Sequence, residues 1–390
     1  MSKSRICHVI TKPELGGAQL STLEAVSRLS RDKYELSIIT SPDGILDKDF
    51  KNLKNTKTIF SKFLTRPINP ILDILALIHL YYIYCLYKYE IIHTHSSKAG
   101  ILGRWAGLFY NLTQFLKKKR KGCKIIHTVH GWPFNNYQVP IVKWFYIFVE
   151  KLTATFTTKI ICVSNQDIAT GLKYKIAPKH KFILIRYGIP LSRFRRHHID
   201  RSIKKMELGI KNDYPVVGMI SCLKPQKAPL DYIRSAMEVY KNTPYINFLL
   251  IGDGVLKERC KKALLKSSLN GKFIFTGWRR DVDEILDVID IVVLTSRWEG
   301  MPIALIEALC KGKPIVATNA GGIKELVKDG HTGYIFPPGS YKDIATSILR
   351  LVNNQPLLDR MKKAALESID DSFDITRMVS DIENLYEAIL

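Results

Sequence analysis

Two glutamates are spaced for chemistry in the stretch Ser296-Arg-Trp-Glu-Gly-Met-Pro-Ile-Ala-Leu-Ile-Glu-Ala-Leu309. This stretch follows a strand-like run and opens a predicted helix, so Glu299 and Glu307 lie about two turns, or ~12 Å, apart. A carboxylate accepts two directional hydrogen bonds, which suits a diol. Gly300 permits close backbone approach and Pro302 is typical of a first helical position, so N–H groups at the helix start could receive an anion. The alternative for Glu307 is a solvated helix residue.

Histidine and cysteine residues give no metal site by their spacing. His127 lies within a strand-like run and is predicted to be a core residue. In His93-Thr94-His95 we expect the two histidines to face opposite sides of the sheet. The seven cysteines are scattered without a C-x-x-C pair, so a reducing compartment fits better than a disulfide framework or a zinc site. No metal and no cofactor are expected.

The elements that position these residues alternate between short β-branched runs and helix-length segments, which is typical of parallel sheets covered on both faces. Seven strands are predicted in the first half and six in the second. They are Arg5 to Ile10, Glu35 to Thr40, Thr56 to Phe60, Ile91 to Thr94, Lys124 to Val129, Lys159 to Val163 and Phe182 to Arg186, then Val216 to Ile220, Ile246 to Ile251, Phe273 to Thr276, Ile291 to Leu294, Pro314 to Ala317 and Gly333 to Phe336.

The domain boundary is placed in the Arg- and His-rich segment Pro190 to Lys205, which has no clear apolar period. We expect an α/β protein with two doubly wound, Rossmann-like domains whose sheets face each other across a cleft. The predicted domains are residues 1–192 and 193–368. A C-terminal segment, residues 369–390, is predicted to form an amphipathic helix that packs back on the first domain.

Charge is unevenly divided between the halves of this 390-residue chain, which has a net charge of +23. Residues 1–200 carry 32 basic and 12 acidic side chains, whereas residues 201–390 carry 27 and 24. The 46% hydrophobic content excludes a disordered or fibrous chain. A basic half indicates an anionic partner, either nucleic acid or acidic lipid, unless it reflects only a basic proteome.

Two apolar segments could contact a membrane. Ile71 to Tyr87 contains Asp73 and His79, so a buried or interfacial helix is predicted rather than a membrane span. Val139 to Phe156 is aromatic-rich and lies downstream of the basic run Lys117 to Lys121, which is the composition of an interfacial helix. The alternative is a core helix beside a solvated basic loop. The N-terminus has no signal-peptide core, so we expect a cytoplasmic protein, peripheral on the inner face of the membrane.

The motifs together resemble those of the retaining family 4 glycosyltransferases of the GT-B fold, of the bacterial surface-polysaccharide or lipopolysaccharide type. The family's mark is Glu, seven residues, Glu in a strand–loop–helix setting, which Glu299 and Glu307 match. The resemblance covers essentially the whole chain. The other matching stretches are Gly16-Gly17-Ala18-Gln19, His93 to Gly100, His130-Gly131, Val163-Ser164-Asn165, Tyr187-Gly188-Ile189, Lys224 to Lys227, Gly252-Asp253-Gly254, Gly277 to Asp281 and Ala320-Gly321-Gly322 to Glu325.

The resemblance implies a binding site for a nucleotide-sugar donor. Glu307 would bind the ribose hydroxyls, and Gly16 with Gly17 would touch the diphosphate through a backbone N–H, unless this turn needs glycine only for its own geometry. The usual arginine five residues before Lys227 is Cys222, so another basic residue is expected to contact the second phosphate. The donor-binding residues implied are Gly16, Gly17, Lys224, Arg279, Gly300, Met301, Pro302 and Glu307; Lys224 or Arg279 would replace the arginine.

The resemblance also implies the catalytic and acceptor residues. His130 would position the sugar, Lys227 would neutralise the leaving diphosphate, and Glu299 would orient the sugar rather than attack it. In such a same-face reaction the departing diphosphate deprotonates the acceptor hydroxyl. The acceptor site is expected at His95, Ser96 and Ser97.

The predicted function is therefore retaining transfer of a sugar from a nucleotide-sugar donor, with a UDP-sugar favoured, in cell-surface polysaccharide synthesis. The acceptor is expected to be a lipid-linked or other glycan at an anionic membrane surface. One alternative is a nucleotide-sugar epimerase of the same fold. A second is a non-catalytic protein that binds a membrane or nucleic acid; nucleic acid is not expected because the basic half has no recognisable motif for it.

Overall fold

A computed structural model describes residues 3–117, 122–196, 199–210, 213–265, 267–269 and 271–390. Most of the predicted basic run, residues 118–121, and His197 and His198 lie outside the described residues. The chain divides into two compact units. Unit 1 comprises Met1–Tyr187 and Ile375–Leu390, and unit 2 comprises Gly188–Asp374.

Unit 1 is a seven-stranded parallel sheet with the strand order β3-β2-β1-β4-β5-β6-β7. Its strands are β1 Ser4–Val9, β2 Tyr34–Thr40, β3 Thr56–Phe60, β4 Ile91–His95, β5 Lys124–Val129, β6 Lys159–Cys162 and β7 Phe182–Leu184. Its helices are α1 Gly17–Arg28, α2 Asp47–Lys51, α3 Pro70–Tyr87, α4 Ser97–Leu116, α5 Pro140–Thr155, α6 Asn165–Lys173 and, at the C-terminus, α16 Ile375–Ile389.

Unit 2 is a six-stranded parallel sheet with the strand order β10-β9-β8-β11-β12-β13. Its strands are β8 Val216–Ile220, β9 Asn247–Ile251, β10 Phe273–Gly277, β11 Ile291–Leu294, β12 Ile315–Thr318 and β13 Gly333–Phe336. Its helices are α7 Leu191–Phe194, α8 Arg201–Glu207, α9 Pro229–Asn242, α10 Lys257–Leu265, α11 Val282–Val288, α12 Ile303–Cys310, α13 Ile323–Leu326, α14 Tyr341–Val352 and α15 Gln355–Glu367.

Local sequence explains where these elements begin. Helix α3 opens with Pro70 after the extended residue Asn69, whose side chain caps the helix by accepting from the N–H of Leu72 at 3.1 Å. The central strands are apolar on both faces because helices cover both sides, as in the fully buried strand β11. All thirteen predicted strands are present within two residues of their predicted ends, and the predicted fold class is confirmed.

The limits of the units differ slightly from the predicted domain limits. The first junction lies between Tyr187 and Gly188, rather than after residue 192. The second lies between Asp374 and Ile375, rather than after residue 368. The C-terminal helix α16 belongs to unit 1, where the Ser21 hydroxyl contacts the Met378 sulfur at 3.7 Å. The predicted linker is not irregular throughout, since it contains α7 and the start of α8.

Each sheet has a point where the strand order reverses direction, and ligands of open α/β sheets bind in the crevice at such points. In unit 1 this point lies between β1 and β4, and in unit 2 between β8 and β11. The loops after these four strands contain many of the predicted site residues. Two of the loops hold a non-glycine residue in the left-handed region, Ser96 (φ 61°) after β4 and Ala228 (φ 46°) after β8. Such residues cost about 1–2 kcal/mol and concentrate at functional sites.

Three neighbouring helices of unit 1, α3, α4 and α5, leave apolar side chains in solvent. On α3, Ala76, Leu80, Ile83 and Tyr84 are buried, while the opposite face is exposed. Among the described residues, α3 is the one helix long and apolar enough to cross a membrane, with 22% of that window buried. Helix α3 is therefore not a fully buried helix, since four of its 18 residues are buried.

Candidate active site

The centre of the candidate site in unit 2 is an ion pair between Lys227 and Glu299. Lys227 Nζ lies 2.5 Å from Glu299 Oε1, and their side chains are 19% and 6% exposed. Lys227 ends a 3-10 turn after β8, and Glu299 lies in the loop after β11. Because β8 and β11 are adjacent, the two loops meet at the switch point. The structure thus brings together two residues that are 72 positions apart in the sequence.

Hydrogen bonds hold the Glu299 loop in one conformation. The Ser296 hydroxyl donates to Glu299 Oε1 at 2.5 Å. The Thr318 hydroxyl, at the end of β12, donates to the Ser296 carbonyl at 2.5 Å. The Gln226 amide donates to the Trp298 carbonyl at 2.9 Å, which ties this loop to the turn that ends at Lys227. Neither ionic partner can therefore move without disturbing the other loop.

Gly321 and Gly322 allow a third loop to pack against the carbonyls of Glu299 and Gly300. Gly321 has a φ of +55°, and a Cβ there would lie 2.0 Å from the Glu299 carbonyl oxygen. The backbone N–H of Gly322 donates to the Gly300 carbonyl at 2.7 Å. Any larger side chain at position 321 would displace the loop that carries Glu299, so this glycine supports the site indirectly.

Helix α12 begins at Ile303, and Pro302 is its N-cap rather than its first residue. The predicted position of Pro302 is therefore wrong by one residue. The difference is small, because residues after the proline still present their N–H groups at the helix start. Gly300, Met301 and Pro302 are buried next to this start.

Glu307 lies in the last turn of α12, where burial raises the pKa of its carboxyl to about 7. The positive charge of Arg193 opposes this shift in the pKa. Glu307 is partly accessible, so the interpretation of a freely solvated helix residue does not hold. Hydrogen bonds donated by the hydroxyls of a bound diol would favour the ionised form of Glu307 and so lower the pKa of its carboxyl.

We expect Glu307→Gln to stabilise the protein at high pH but not at low pH. The raised pKa means that the folded state binds more protons than the unfolded state between about pH 4.5 and 7. Ionised Glu307 therefore destabilises the fold as pH rises through this range, by about 1–2 kcal/mol after allowance for its partial exposure. Thermal unfolding of both proteins at pH 5 and pH 8 measures this difference. Equal stabilisation at the two pH values would contradict it.

Arg279 and Lys224, the two residues predicted to replace the arginine, both interact with other groups of the protein. Arg279 is paired with Asp281 and Glu207, with its Nε 2.8 Å from Asp281 Oδ1. These carboxylates raise the pKa of the guanidinium and occupy its donors. Lys224 is partly buried in the turn before Lys227.

Ser221, beside Cys222, adds a group that sequence reasoning missed. Its hydroxyl is buried and, among the described residues, makes no hydrogen bond. An unsatisfied buried hydroxyl is costly, at about 1–3 kcal/mol. Ser221 lies directly after the carboxyl end of β8.

In unit 1, Gly16 and Gly17 lie at the start of α1. Gly16 has an extended backbone (φ −115°), which any residue can adopt, so the tight-turn alternative is not supported. Instead, a Cβ at Gly16 would lie 2.7 Å from the amide oxygen of Gln19. Gln19 is itself anchored, since its amide donates to the Lys12 carbonyl at 3.1 Å. Glycine at position 16 therefore leaves room for the Gln19 side chain at the start of α1.

The predicted acceptor residues His95, Ser96 and Ser97 span the end of β4 and the start of α4. The Ser96 hydroxyl is hydrogen-bonded to the hydroxyl of Thr11, after β1, at 3.2 Å. This bond joins the two loops of the unit 1 switch point. His95 is buried, with 4% of its surface exposed, so Ser96 and Ser97, which are partly accessible, are the more open of the three.

Histidines cluster beside these loops. His93 and His95 have ring centroids 4.2 Å apart, so the prediction that they face opposite sides of the sheet is wrong: residues two apart on a strand share a face. His8 on β1 is the direct neighbour of His93 on β4. Beyond β5, His130 Nε2 lies 3.2 Å from His95 Nδ1. His127 is a core residue, as predicted.

The clustered histidines are neutral. Burial lowers the pKa of His8 and of His130 to about 3, and burial with the neighbouring rings holds those of His93 and His95 well below 6.5. Nitrogen atoms of His8, His93 and His95 lie within 4.8 Å of one another, an approach that sequence spacing did not indicate. Every ring nitrogen of these three residues, however, already has a hydrogen-bond partner in the protein. The expectation of a metal-independent protein stays a prediction.

Comparison with known proteins identifies the family. The family model described as "Glycosyltransferase Family 4" matches residues 15–193, and that described as "Glycosyl transferases group 1" matches residues 200–368. The chain is 31% identical over 388 residues to the Escherichia coli UDP-Gal:alpha-D-GlcNAc-diphosphoundecaprenol alpha-1,3-galactosyltransferase, covering 99% of this chain and 97% of that protein. The chain belongs to the family 4 glycosyltransferases. It is accordingly an enzyme of the glycosyltransferase class, EC 2.4.

Other relatives of this glycosyltransferase support the fold. The putative glycosyltransferase EpsD of Bacillus subtilis is 24% identical over 78% of both chains. Among solved structures, Anabaena HepE in complex with UDP and glucose superposes with a TM-score of 0.78 at 20% identity, covering 98% of this chain and 99% of that one. Sucrose-phosphate synthase of Thermosynechococcus elongatus has a TM-score of 0.81 at 18% identity, covering 99% of each chain. These likenesses establish the GT-B fold.

Proposed function

We propose that this glycosyltransferase moves a sugar, with retention of anomeric configuration, from a UDP-sugar to a lipid-linked glycan in cell-surface polysaccharide synthesis. The observation that carries the proposal is the similarity, over 99% of the chain, to a UDP-galactose-dependent transferase that acts on a diphosphoundecaprenol-linked sugar. The complex of HepE with UDP-glucose is compatible with such a donor. The family assignment favours transfer to an acceptor over the epimerase and the non-catalytic alternatives.

The proposed chemistry uses the Lys227–Glu299 pair. The acceptor oxygen forms a bond to the sugar C1 on the face that the diphosphate leaves. The C1–O bond to the diphosphate breaks, and the acceptor proton passes to a diphosphate oxygen, giving the glycoside and UDP. Lys227 stabilises the charge that develops on the diphosphate. Glu299, held by Ser296, orients the sugar.

A product assay tests this function. The purified enzyme is incubated with a panel of nucleotide sugars and a polyprenyl-diphosphate-linked acetamido sugar. We expect an elongated lipid-linked product with UDP released in equal amount, and NMR of the product should show the anomeric configuration of the donor. Release of UDP at the same rate without acceptor would instead favour the epimerase or hydrolysis, and an inverted linkage would exclude retention.

We further propose that the enzyme is cytoplasmic and binds the inner membrane surface peripherally. Unit 1 contains 30 basic and 14 acidic residues, whereas unit 2 contains 29 and 22. The positive excess thus belongs to the unit that also exposes apolar side chains. On α5, Ile141, Phe145, Phe148 and Leu152 recur at spacings of three and four residues and are 80%, 58%, 63% and 42% exposed. This pattern fits an interfacial helix and not the core helix of the alternative.

The apolar surface extends beyond α5. Helix α3 packs on α4, and α4 on α5, so the outward faces of the three helices adjoin. Large contiguous apolar surfaces on proteins mark interaction sites. We call this set the apolar surface: Ile71, Ile74, Leu75, Ile78, Tyr82 and Leu86 on α3, Phe109, Leu112, Phe115 and Leu116 on α4, and Ile141, Val142, Trp144, Phe145, Phe148 and Leu152 on α5.

We expect the double variant Ile141→Glu/Phe145→Glu to lose vesicle binding by at least about tenfold, because burying each side chain contributes about 1.5–3 kcal/mol. Sedimentation with vesicles containing anionic lipid measures the bound fraction. A matched control is Ile203→Glu/Val255→Glu in unit 2, whose side chains are 62% and 77% exposed; it should bind like the wild type. Equal binding of both variants, or no vesicle binding by the wild type, would reject the membrane proposal.

A further inference from the structure

A continuous chain of hydrogen bonds runs through the core of unit 1 and passes through His130 to Tyr187. It crosses from β5 to β4, to the C-terminal helix α16, to β1, back to β4 and then to the loop after β5. Its members, which we call the histidine–tyrosine chain, are in order Thr128, His93, Tyr386, His8, His95, His130 and Tyr187.

The first four bonds of this chain are buried and join atoms 2.6 to 3.2 Å apart. Thr128 Oγ1 lies 2.7 Å from His93 Nε2, and His93 Nδ1 lies 2.6 Å from the Tyr386 hydroxyl. That hydroxyl lies 3.2 Å from His8 Nε2, and His8 Nδ1 lies 3.0 Å from His95 Nε2. Hydrogen bonds between buried groups, where the local dielectric is low, are electrostatically strong.

The remaining bonds join His95 Nδ1 to His130 Nε2 and His130 Nδ1 to the Tyr187 hydroxyl. Both nitrogens of the His130 ring are therefore bound within unit 1.

The direction of each bond fixes the direction of the next. A neutral imidazole carries one N–H and one lone pair, so a ring that accepts on one side must donate on the other. Tyr386 is fully buried, and its hydroxyl bonds only to His8 and His93 among the described residues. Its single proton therefore lies in one of these bonds, and the chain has two consistent arrangements of protons.

The end of the chain at Thr128 selects between them. Its hydroxyl is buried, and within the described part of the protein it forms no other hydrogen bond. A buried hydroxyl proton without an acceptor is costly, which favours donation from Thr128 to His93. Tyr187, the buried residue at the other end, has a further interaction in the protein, so the cost is assigned to Thr128. Donation then runs through Tyr386, His8 and His95, and reaches Nε2 of His130.

We propose that the histidine–tyrosine chain holds His130 as the tautomer protonated at Nδ1, and that Thr128, Tyr386 and His8 are positioning residues for it. In this arrangement His130 accepts at Nε2 from His95 and donates from Nδ1 to Tyr187. The His130 ring is then oriented without being a free base, and the Tyr187 proton points out of the chain. The proposed tautomer stands on geometry alone; its effect on turnover rests on the proposed function.

Imidazole NMR tests the tautomer directly. The protein is labelled with ¹⁵N-histidine, and the His130 ring is assigned with a His130→Gln variant. We expect the pattern of a neutral ring protonated at Nδ1 in the wild type. Thr128→Val removes the first donor and Tyr386→Phe interrupts the chain, so each should raise the population protonated at Nε2. Tyr84→Phe is the matched control, because the Tyr84 hydroxyl is buried and has no hydrogen-bond partner among the described residues.

Turnover gives a second readout. Tyr386→Phe should lower kcat by about threefold to tenfold, the net effect of one hydrogen bond, with donor KM unchanged, while Tyr84→Phe leaves both constants unchanged. If Tyr386→Phe does not fold, Thr128→Val decides. A wild-type ring protonated at Nε2, spectra that neither variant alters, or stoichiometric metal in the purified protein would overturn the proposal. The expected tautomers without any transferase activity would uphold the chain and reject the proposed function.

Discussion

Lys227→Ala should lower kcat by about 10²- to 10³-fold, which corresponds to about 3–4 kcal/mol of lost transition-state stabilisation. The ammonium lies 2.5 Å from Glu299 at the switch point of unit 2 and is 19% exposed, so little water competes for it. Without Lys227, the charge that develops on the leaving diphosphate loses the cation that lies beside Glu299. Steady-state kinetics with a saturating UDP-sugar and acceptor measures the effect.

Matched lysine and arginine variants separate this role from general charge. Lys257→Ala removes a lysine whose Nζ lies 2.6 Å from Asp253, and kcat should change by less than about twofold. Lys224→Ala should weaken donor affinity by about tenfold if it supplies the second phosphate contact. Arg279→Ala should leave donor affinity nearly unchanged, since Asp281 and Glu207 hold its guanidinium.

An unchanged kcat in Lys227→Ala would mean that the ion pair with Glu299 is only structural. Unchanged donor affinity in Lys224→Ala would exclude Lys224 as the replacement for the arginine missing at Cys222.

Glu150→Gln should destabilise unit 1 by about 3–5 kcal/mol, because it leaves a buried guanidinium without its counter-charge. Arg104 on α4 and Glu150 on α5 are 0% and 1% exposed, and Arg104 Nη2 lies 2.8 Å from Glu150 Oε2. Arg104 also donates from Nε to the Gly100 carbonyl at 2.9 Å. Urea unfolding followed by tryptophan fluorescence measures the change, with the transitions of the two units analysed separately.

Two controls show whether the loss of stability in Glu150→Gln comes from the unpaired, buried charge of Arg104 or from the loss of one contact. The double variant Arg104→Met/Glu150→Leu removes both charges and should regain most of the lost stability, since apolar replacements of buried pairs are often tolerated. Glu238→Gln breaks the exposed pair with Lys241 and should cost less than about 1 kcal/mol. A cost of that size for Glu150→Gln would contradict the argument.

These two helices also carry part of the apolar surface. The Arg104–Glu150 pair therefore fixes how α4 and α5 lie against each other beneath side chains such as Phe109 and Phe148. Glu150→Gln should therefore reduce vesicle binding only under conditions in which unit 1 unfolds. Ile141→Glu/Phe145→Glu, in contrast, should reduce vesicle binding while unit 1 stays folded.

The site of unit 2 was largely predictable because its determinants are local. The loop Ser296 to Pro302 and the helix after it are contiguous, and the strand before them is a short β-branched run. Loop glycines and the glutamate spacing indicated both the chemistry and the family. The support from Ser296, Thr318 and Gln226 was not predicted, because serine, threonine and glutamine are common in loops and carry no signal of their partners.

The histidine–tyrosine chain lay beyond sequence reasoning for a different reason. His8 and Tyr386 are 378 positions apart, and no local pattern records which strand neighbours which. The register that sets His8 beside His93 follows from β1 pairing with β4 rather than with a later strand. The exposure of α3 is likewise a property of packing, since its composition alone suits a core helix equally well.

The amino-acid sequence predicts the alternation of strands and helices, the two-domain α/β class, the motifs of a family 4 glycosyltransferase and the basic excess of the first unit. Each of these is encoded in neighbouring residues or in composition. The tertiary structure alone decided which distant side chains meet: Lys227 with Glu299, Arg104 with Glu150, and His8 with Tyr386. Such contacts depend on strand order and packing, which join residues according to the topology of the sheet rather than their distance along the chain.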